Sequence, residues 1–145
     1  MAGKKRSYSI RNVFVSYGGI PISGFADGTT ASISQSEDDF TYSEGNDGEG
    51  VVSAQNREYT EVTLSLKYGS RGLAQLMQFN RLDRTTGVIG RALSVRDANG
   101  GCTITSPDAF VKKRSDIELA REAGDVEVVI CCPTCDIVYG ELQTL

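Results

Sequence analysis

The sequence predicts a mainly β fold in which two packed antiparallel sheets form a small barrel or sandwich, with one flanking α-helix. Residues 59–67 alternate apolar and polar side chains, which is typical of a strand with one buried face. Glycine-rich turns at 18–19 and 99–101 separate further strand patterns. Only the stretch after Ser70 combines helical spacing with good helix-forming residues, so we expect a single helix.

The predicted elements follow in order along the chain. Strands are expected at residues 12–17, 20–22, 30–36, 59–67, 92–97, 102–106, 126–132 and 136–139. The helix is expected to begin after Ser70, a good N-cap residue, and to run to about Leu82. Residues 115–124 combine a capping-box pattern with apolar residues that alternate as in a strand, and we favour extended structure there.

A long acidic segment lies between two of the predicted strands. Residues 37–52 contain six carboxylates, three glycines and two aromatic residues, without a single lysine or arginine. Hairpin connections usually span about 2–5 residues, and longer segments inside a domain tend to be functional. We therefore interpret residues 37–52 as a long extended arm loop of a single domain that covers residues 1–145.

Charge is distributed unevenly along the chain. The formal net charge is −4, yet residues 1–11 contain four basic residues and no acid, and residues 27–61 contain nine acids against Arg57 alone. Nucleic-acid-binding modules need clustered cations, so this distribution disfavours them. Without a run of about 20 apolar residues, or an apolar stretch after the basic start, we expect cytoplasmic synthesis with no membrane anchor or signal peptide.

The residue types present argue against catalysis. The chain has no histidine, which removes the usual general base near neutral pH and the histidine-based nucleophilic sites. Neighbouring carboxylates at 38–39 and at 58 and 61 lie in polar segments, where burial would not separate their pKa values. The glycines do not form a phosphate-binding motif. We therefore predict that the protein is not an enzyme, with no catalytic residue and no cofactor.

The cysteines form a CxxC spacing at Cys132 and Cys135, next to Cys131. A zinc site would need these three thiols together with Cys102, and a redox pair would need a helix N-terminus rather than the flanking strands predicted here. We interpret the cysteines as buried or turn-flanking thiols and predict no metal site. A zinc or redox domain is the competing interpretation.

Several predicted strands carry small hydroxyls and carboxylates on their polar side. These residues are Thr30, Ser32, Ser34, Glu61, Thr63, Ser65, Thr103, Thr105, Asp125 and Glu127. One interpretation is the solvent-facing side of a sandwich. The other is a smooth, mildly acidic lining past which an anionic molecule slides without binding.

The order and spacing of several segments resemble the tail tube proteins of contractile-tailed bacteriophages, a structural family related to the secreted tube protein of type VI secretion systems. The resemblance rests on residues 8–13, 45–52, 69–73, 93–97, 109–113 and 120–124, and it extends over nearly the whole chain. It implies six copies joined edge to edge in a ring, with rings stacked into a hollow tube.

This resemblance also implies roles for particular residues. The lumen wall, past which genomic DNA would move during ejection, would include Ser32, Ser34, Glu61, Thr63, Ser65, Asp125 and Glu127. The arm would join subunits or rings through Glu37, Asp38, Asp39, Phe40, Tyr42, Glu44, Asp47, Glu49, Val51 and Val52, with its acids meeting a neighbour's Lys4, Lys5 and Arg6.

The partners implied are further copies of the chain, a surrounding sheath protein, baseplate or initiator proteins and a tail terminator. A tape measure protein and DNA would pass through the lumen without tight binding. The implied location is the virion tail, assembled in the cytoplasm of a bacterial host. The alternative is a type VI secretion-like tube component that carries protein cargo.

Overall fold

The computed structural model describes residues 3–56 and 58–144. These residues form a short 3₁₀ turn, ten strands and one α-helix. The turn is Ile10–Asn12 and the other elements are β1 Val13–Tyr17, β2 Ile20–Pro21, β3 Ala31–Gln35, β4 Phe40–Glu44, β5 Gly50–Ala54, β6 Thr60–Lys67, α1 Arg71–Thr86, β7 Arg91–Asp97, β8 Cys102–Val111, β9 Asp125–Cys132 and β10 Asp136–Tyr139.

Eight strands form two antiparallel sheets that share β8. Sheet 1 has the order β2-β1-β7-β8, with β10 on the other side of the first part of β8. Sheet 2 has the order β8-β9-β6-β3, because Phe110 and Val111 at the end of β8 pair with β9. The predicted mainly β class with packed antiparallel sheets is confirmed as a sandwich, but the sheets do not close into a barrel.

The core lies between the two sheets and is built from alternate residues of each strand. Val62, Leu64 and Leu66 of β6 are fully buried, and they pair with buried residues of β9. Sheet 1 contributes Val15, Tyr17, Leu93, Val95 and Ile104 to the same cluster. Each such side chain stabilises the fold by roughly 1.5–3 kcal/mol relative to leaving it in water.

Helix α1 begins where the sequence predicts. The Ser70 hydroxyl accepts a hydrogen bond from the Leu73 N–H, at 3.4 Å, and Leu73 and Leu76 are buried against the core. Gly72 lies so close to the Ser23 carbonyl that a β-carbon there would collide with the backbone. The helix is thereby fixed against the segment that follows β2.

The helix ends at Thr86, four residues beyond the predicted end at Leu82. Gly87 adopts a left-handed conformation, with φ 72°, and its N–H donates to the Asp83 carbonyl at 2.9 Å. Residues 83–86 are compatible with helical structure, so the helix continues through them. It ends at Gly87, the first residue that favours termination.

Two other boundaries differ from the prediction. Strand β8 was predicted to end at residue 106 but continues past Pro107 to Val111. A bulge places Pro107 and Asp108 opposite the single residue Ala92. The proline therefore does not have to donate a hydrogen bond to the neighbouring strand. Residues 115–124 form neither the strand that we favoured nor the competing helix. Most of this segment is exposed, so no packing selects one of its two local patterns.

Within residues 3–56 and 58–144, no helix combines the length and the apolar character needed to cross a bilayer.

Candidate assembly site

The predicted arm is a β-hairpin rather than a loop. In the described part of the chain, strands β4 and β5 pair only with each other, in a two-stranded sheet separate from the sandwich. A five-residue turn connects them, with the Gly45 N–H donating to the Glu49 carbonyl at 2.8 Å and Gly48 at φ 86°. We call residues 37–54 the acidic hairpin. Glycine adopts this positive φ without steric cost, which allows a turn longer than the common two-residue connection.

One face of the acidic hairpin is apolar and uncovered. Phe40, Tyr42 and Val52 share this face, because Tyr42 pairs directly with Val52 and Phe40 lies two residues before Tyr42. Their exposed fractions are 68%, 62% and 64%. The Tyr42 ring lies over Gly50, where any β-carbon would collide with it. Val51, which the resemblance also implies in the contact between subunits, points to the opposite face and is also exposed.

The six carboxylates of the hairpin fall into two groups. Glu37, Asp38 and Asp39 precede β4 at its base, and Glu44, Asp47 and Glu49 surround the turn at its tip. Asp39 accepts a hydrogen bond from Gln35 Nε2 at 2.7 Å, and Asp47 accepts one from the Glu49 N–H at 3.3 Å. The tip carboxylates form no ion pair within the described part of the chain.

The basic N-terminal residues are not equally available to an acidic partner. Arg6 Nη1 contacts the Glu141 carboxylate at 3.4 Å and donates to the Leu142 carbonyl at 3.1 Å. This places Arg6 against the C-terminal segment of its own chain. The suggested pairing of the hairpin with Lys4, Lys5 and Arg6 of a neighbour stays a prediction.

All seven predicted lumen residues lie on the outer face of sheet 2. Paired residues share a face, and the pairs Ser34–Glu61, Ser32–Thr63 and Ser65–Glu127 join three strands; Asp125 lies two residues before Glu127 on β9. The structure therefore brings these side chains together on one polar surface. Their role as a lumen lining stays a prediction.

This polar surface is less acidic than its sequence suggests. Glu61 contacts Lys112 Nζ at 3.3 Å, and Asp125 contacts Lys67 Nζ at 3.0 Å. Hydrogen bonds from the Tyr59 hydroxyl and then Lys112 lower the pKa of the Glu61 carboxyl. Glu127 has no ion pair within residues 3–56 and 58–144. Two of the three carboxylates are thus neutralised locally.

The four thiols lie in or beside the sandwich. Cys131 and Cys132 are buried in β9, and Cys102 and Cys135 are partly buried. Burial raises the pKa of Cys132 to about 12 and raises the pKa of Cys135. Reactive thiols have lowered pKa values, so Cys132 and Cys135, the pair with the CxxC spacing, are suited to packing rather than to redox chemistry. The described residues contain no group of three or more potential metal ligands.

A basic groove that the sequence analysis did not identify lies between the end of α1 and the end of β8. It encloses about 410 Å³ and is lined by Asn80, Asp83, Arg84, Ile89, Phe110, Val111, Lys112, Lys113 and Arg114. The consecutive Lys112, Lys113 and Arg114 were a visible signal. Their meeting with Arg84, nearly thirty residues earlier on the helix, depends on the tertiary fold.

Comparisons with known proteins identify the fold. No protein-family model and no curated protein matches the chain. Among solved structures, a chain in the anti-feeding prophage cap, described as the tube-terminating cap, superposes with a TM-score of 0.63 at 13% identity, covering 97% of this chain and 96% of that one.

Two chains from an extracellular contractile injection system, PVC, are also similar. One comes from its sheath–tube complex in the extended state, with a TM-score of 0.60 at 15% identity, and covers 92% of both chains. The other comes from its sheath/tube terminator, with a TM-score of 0.59 at 16% identity, covering 92% of this chain and 98% of that chain. The chain thus has a fold that occurs in contractile injection systems.

Proposed function

We propose that the protein is a structural, ring-forming subunit of the tube of a contractile tail or injection system. The observation that carries this proposal is the acidic hairpin, whose apolar face is left exposed by residues 3–56 and 58–144. A two-stranded hairpin alone in water is marginally stable at best. Burying Phe40, Tyr42 and Val52 against another copy would therefore stabilise both the hairpin and the assembly.

The similar folds support a tail-related structural role. The similar structures belong to a tube-terminating cap, a sheath–tube complex and a sheath/tube terminator, and the similarity extends over at least 92% of this chain. An assembly role is also consistent with the free edge of sheet 2, since within the described residues β3 pairs with β6 alone. An unpaired edge strand is readily completed by a strand of a second copy.

In the proposed assembly, six copies place sheet 2 around a central lumen, and rings stack into a tube within a sheath. The polar face with Ser32, Thr63 and Glu127 then lines the channel. Hydroxyls and locally paired carboxylates offer DNA phosphates little to bind, so a genome or a tape measure protein can slide through. Baseplate and terminator proteins would close the two ends of this virion tail tube.

A terminator is a second candidate function. Among the similar structures described above, one is a cap and another a terminator, which supports a ring at the end of a tube rather than in its body. The two candidates differ in stacking: a tube subunit assembles into long hollow tubes, and a terminator stops at single rings. A type VI secretion-like tube carrying protein cargo would instead co-purify with that cargo.

Electron microscopy of the purified chain tests the proposal. We expect the wild type to form rings or hollow tubes, and a variant with Phe40→Ser, Tyr42→Ser and Val52→Ser to remain monomeric. Thr41→Ala with Ser53→Ala, on the opposite face of the same hairpin, is the matched control and should assemble like the wild type. At concentrations below those at which the wild type assembles, thermal unfolding of all three proteins should be similar, because the hairpin lies outside the core.

The outcomes separate clearly. Long striated tubes support a tube subunit, and single rings support a terminator. Small-angle scattering that shows only monomers at high protein concentration, for the wild type as well as for the triple variant, would overturn the proposal.

A further inference from the structure

The basic groove combines an apolar floor with a cationic rim. Phe110 and Val111 of β8 and Ile89, which follows α1, provide the apolar part, and Ile89 is 65% exposed. The volume of about 410 Å³ falls within the range of binding clefts, roughly 300–1,000 Å³. An occupant therefore needs apolar side chains together with negative charge.

The cations of the groove are largely unneutralised. Asp83 is occupied by Arg91, whose Nη2 and Nε donate to Asp83 Oδ1 at 2.9 and 3.2 Å. Lys112 forms an ion pair with Glu61. Arg84, Lys113 and Arg114 form no ion pair within the described ranges, 3–56 and 58–144. The Arg84 guanidinium is held in place by a hydrogen bond from its Nε to Asn80 Oδ1 at 3.1 Å.

The acidic hairpin has the complementary character. It carries six carboxylates and no cation, and its apolar face presents Phe40, Tyr42 and Val52. A second apolar groove, beside Tyr8, Ile10 and Ile33, fits it less well, because the charged side chain that lines that groove is Asp97. Charge therefore distinguishes the two grooves as acceptors for this hairpin.

The hairpin and the basic groove lie at opposite sides of sheet 2. The hairpin extends from the edge strand β3, and the groove lies where β8 ends. One row of paired residues, Ile33–Val62–Ile130–Val111, crosses the sheet between them. Three strand spacings of about 4.8 Å separate the two ends of this row by roughly 14 Å. Different surfaces on opposite sides of one subunit are what a head-to-tail contact requires.

We infer that the basic groove of one copy binds the acidic hairpin of a second copy. This inference rests on the proposed function, which supplies the hairpin with a partner, and it identifies where on that partner the hairpin binds. The apolar face packs on Phe110 and Ile89, and the carboxylates at the tip face Arg84, Lys113 and Arg114. The groove thus replaces Lys4 and Lys5 as the acceptor of the acidic segment.

Charge reversal tests the inference. Arg84→Glu with Arg114→Glu should raise the protein concentration needed for half-maximal assembly by at least about tenfold, because like charges then face each other. Glu44→Lys with Asp47→Lys, at the hairpin tip, should have the same effect. A protein that carries all four changes should regain most of its assembly. Lys4→Glu with Lys5→Glu changes the same number of charges elsewhere and should assemble like the wild type.

Analytical ultracentrifugation measures assembly, and circular dichroism confirms that each variant is folded. If the wild type assembles and the groove variant assembles equally well, the inference is wrong and the proposed function stands. The inference is also wrong if Lys4→Glu with Lys5→Glu abolishes assembly, or if the fourfold variant fails to recover although it is folded. A wild type that stays monomeric overturns the inference and the proposed function together.

Discussion

The acidic hairpin and the strand pair β6–β9 are both regular antiparallel ladders, yet their apolar side chains have opposite surroundings. In β6, Leu64 is fully buried, because sheet 1 covers that face. In the hairpin, Tyr42 is 62% exposed although it has a regular cross-strand partner. The ladder between the two strands is therefore regular in both regions, while the cover on the apolar face differs. The hairpin is the region that we propose is completed by a second copy of the chain.

The largest expected contrast is in stability. Leu64→Ala should lower the free energy of unfolding by about 2–5 kcal/mol, because it removes a buried side chain and leaves a cavity. Val52→Ala in the hairpin should change it by less than about 0.5 kcal/mol, since Val52 is exposed in the isolated chain. Urea unfolding of the monomer measures both. A comparable loss in the two variants would show that the hairpin is part of the core.

The sequence predicted the covered region better than the uncovered one. In β6 the alternation of Val62 and Leu64 with polar neighbours reflects burial on one face, so the strand and its orientation could be read directly. In the hairpin both faces are exposed in the single chain, and no alternation of burial constrains its residues. Its length and charge indicated a function, while its hairpin form depended on the turn at 45–49.

The candidate site was predictable to the extent that it depends on local pattern. The alternation of side chains along each strand correctly predicted that Ser32, Thr63 and Glu127 lie on one surface, because paired residues of neighbouring strands share a face of the sheet. The same pattern could not show that Lys112 reaches Glu61, since the two lie 51 residues apart. The basic groove was missed for the same reason. Contacts between distant segments need the register of the sheets, which the sequence leaves open.

A second contrast concerns ionic contacts. Arg91 holds the buried Asp83 carboxylate and lies 4.5 Å from the centre of the Phe79 ring. Arg91→Met should lower the free energy of unfolding by about 3 kcal/mol. This value is near the lower end for breaking a buried ion pair, because the Arg91 side chain is 25% exposed. Asp39→Asn alters the exposed Gln35–Asp39 hydrogen bond at the base of the hairpin. It should lower the free energy of unfolding by less than about 0.5 kcal/mol.

Urea unfolding again provides the measurement for the ionic contrast. Adding Asp83→Asn to Arg91→Met should restore part of the loss, because no unpaired charge is then buried. If Arg91→Met proved no more harmful than Asp39→Asn, the buried pair would contribute no more to stability than a surface contact does.

The smallest expected effect is a pH dependence at Glu61, compared with Glu44 at the hairpin tip. The hydrogen bonds from Tyr59 and Lys112 hold the pKa of folded Glu61 below its ordinary value of 4.5, so they stabilise the fold while Glu61 is ionised. This contribution is present above pH 4.5 and is lost as the pH falls through the lower, folded pKa.

Glu61→Gln should therefore lower the melting temperature slightly at pH 7, with a gap to the wild type that closes on acidification. Glu44→Gln is the control and should leave the melting temperature at pH 7 unchanged, because Glu44 forms no ion pair within the described residues. Thermal melts between pH 7 and about pH 2.5 measure both variants, and a Glu61→Gln gap that widens in acid would contradict the contacts assigned to Glu61.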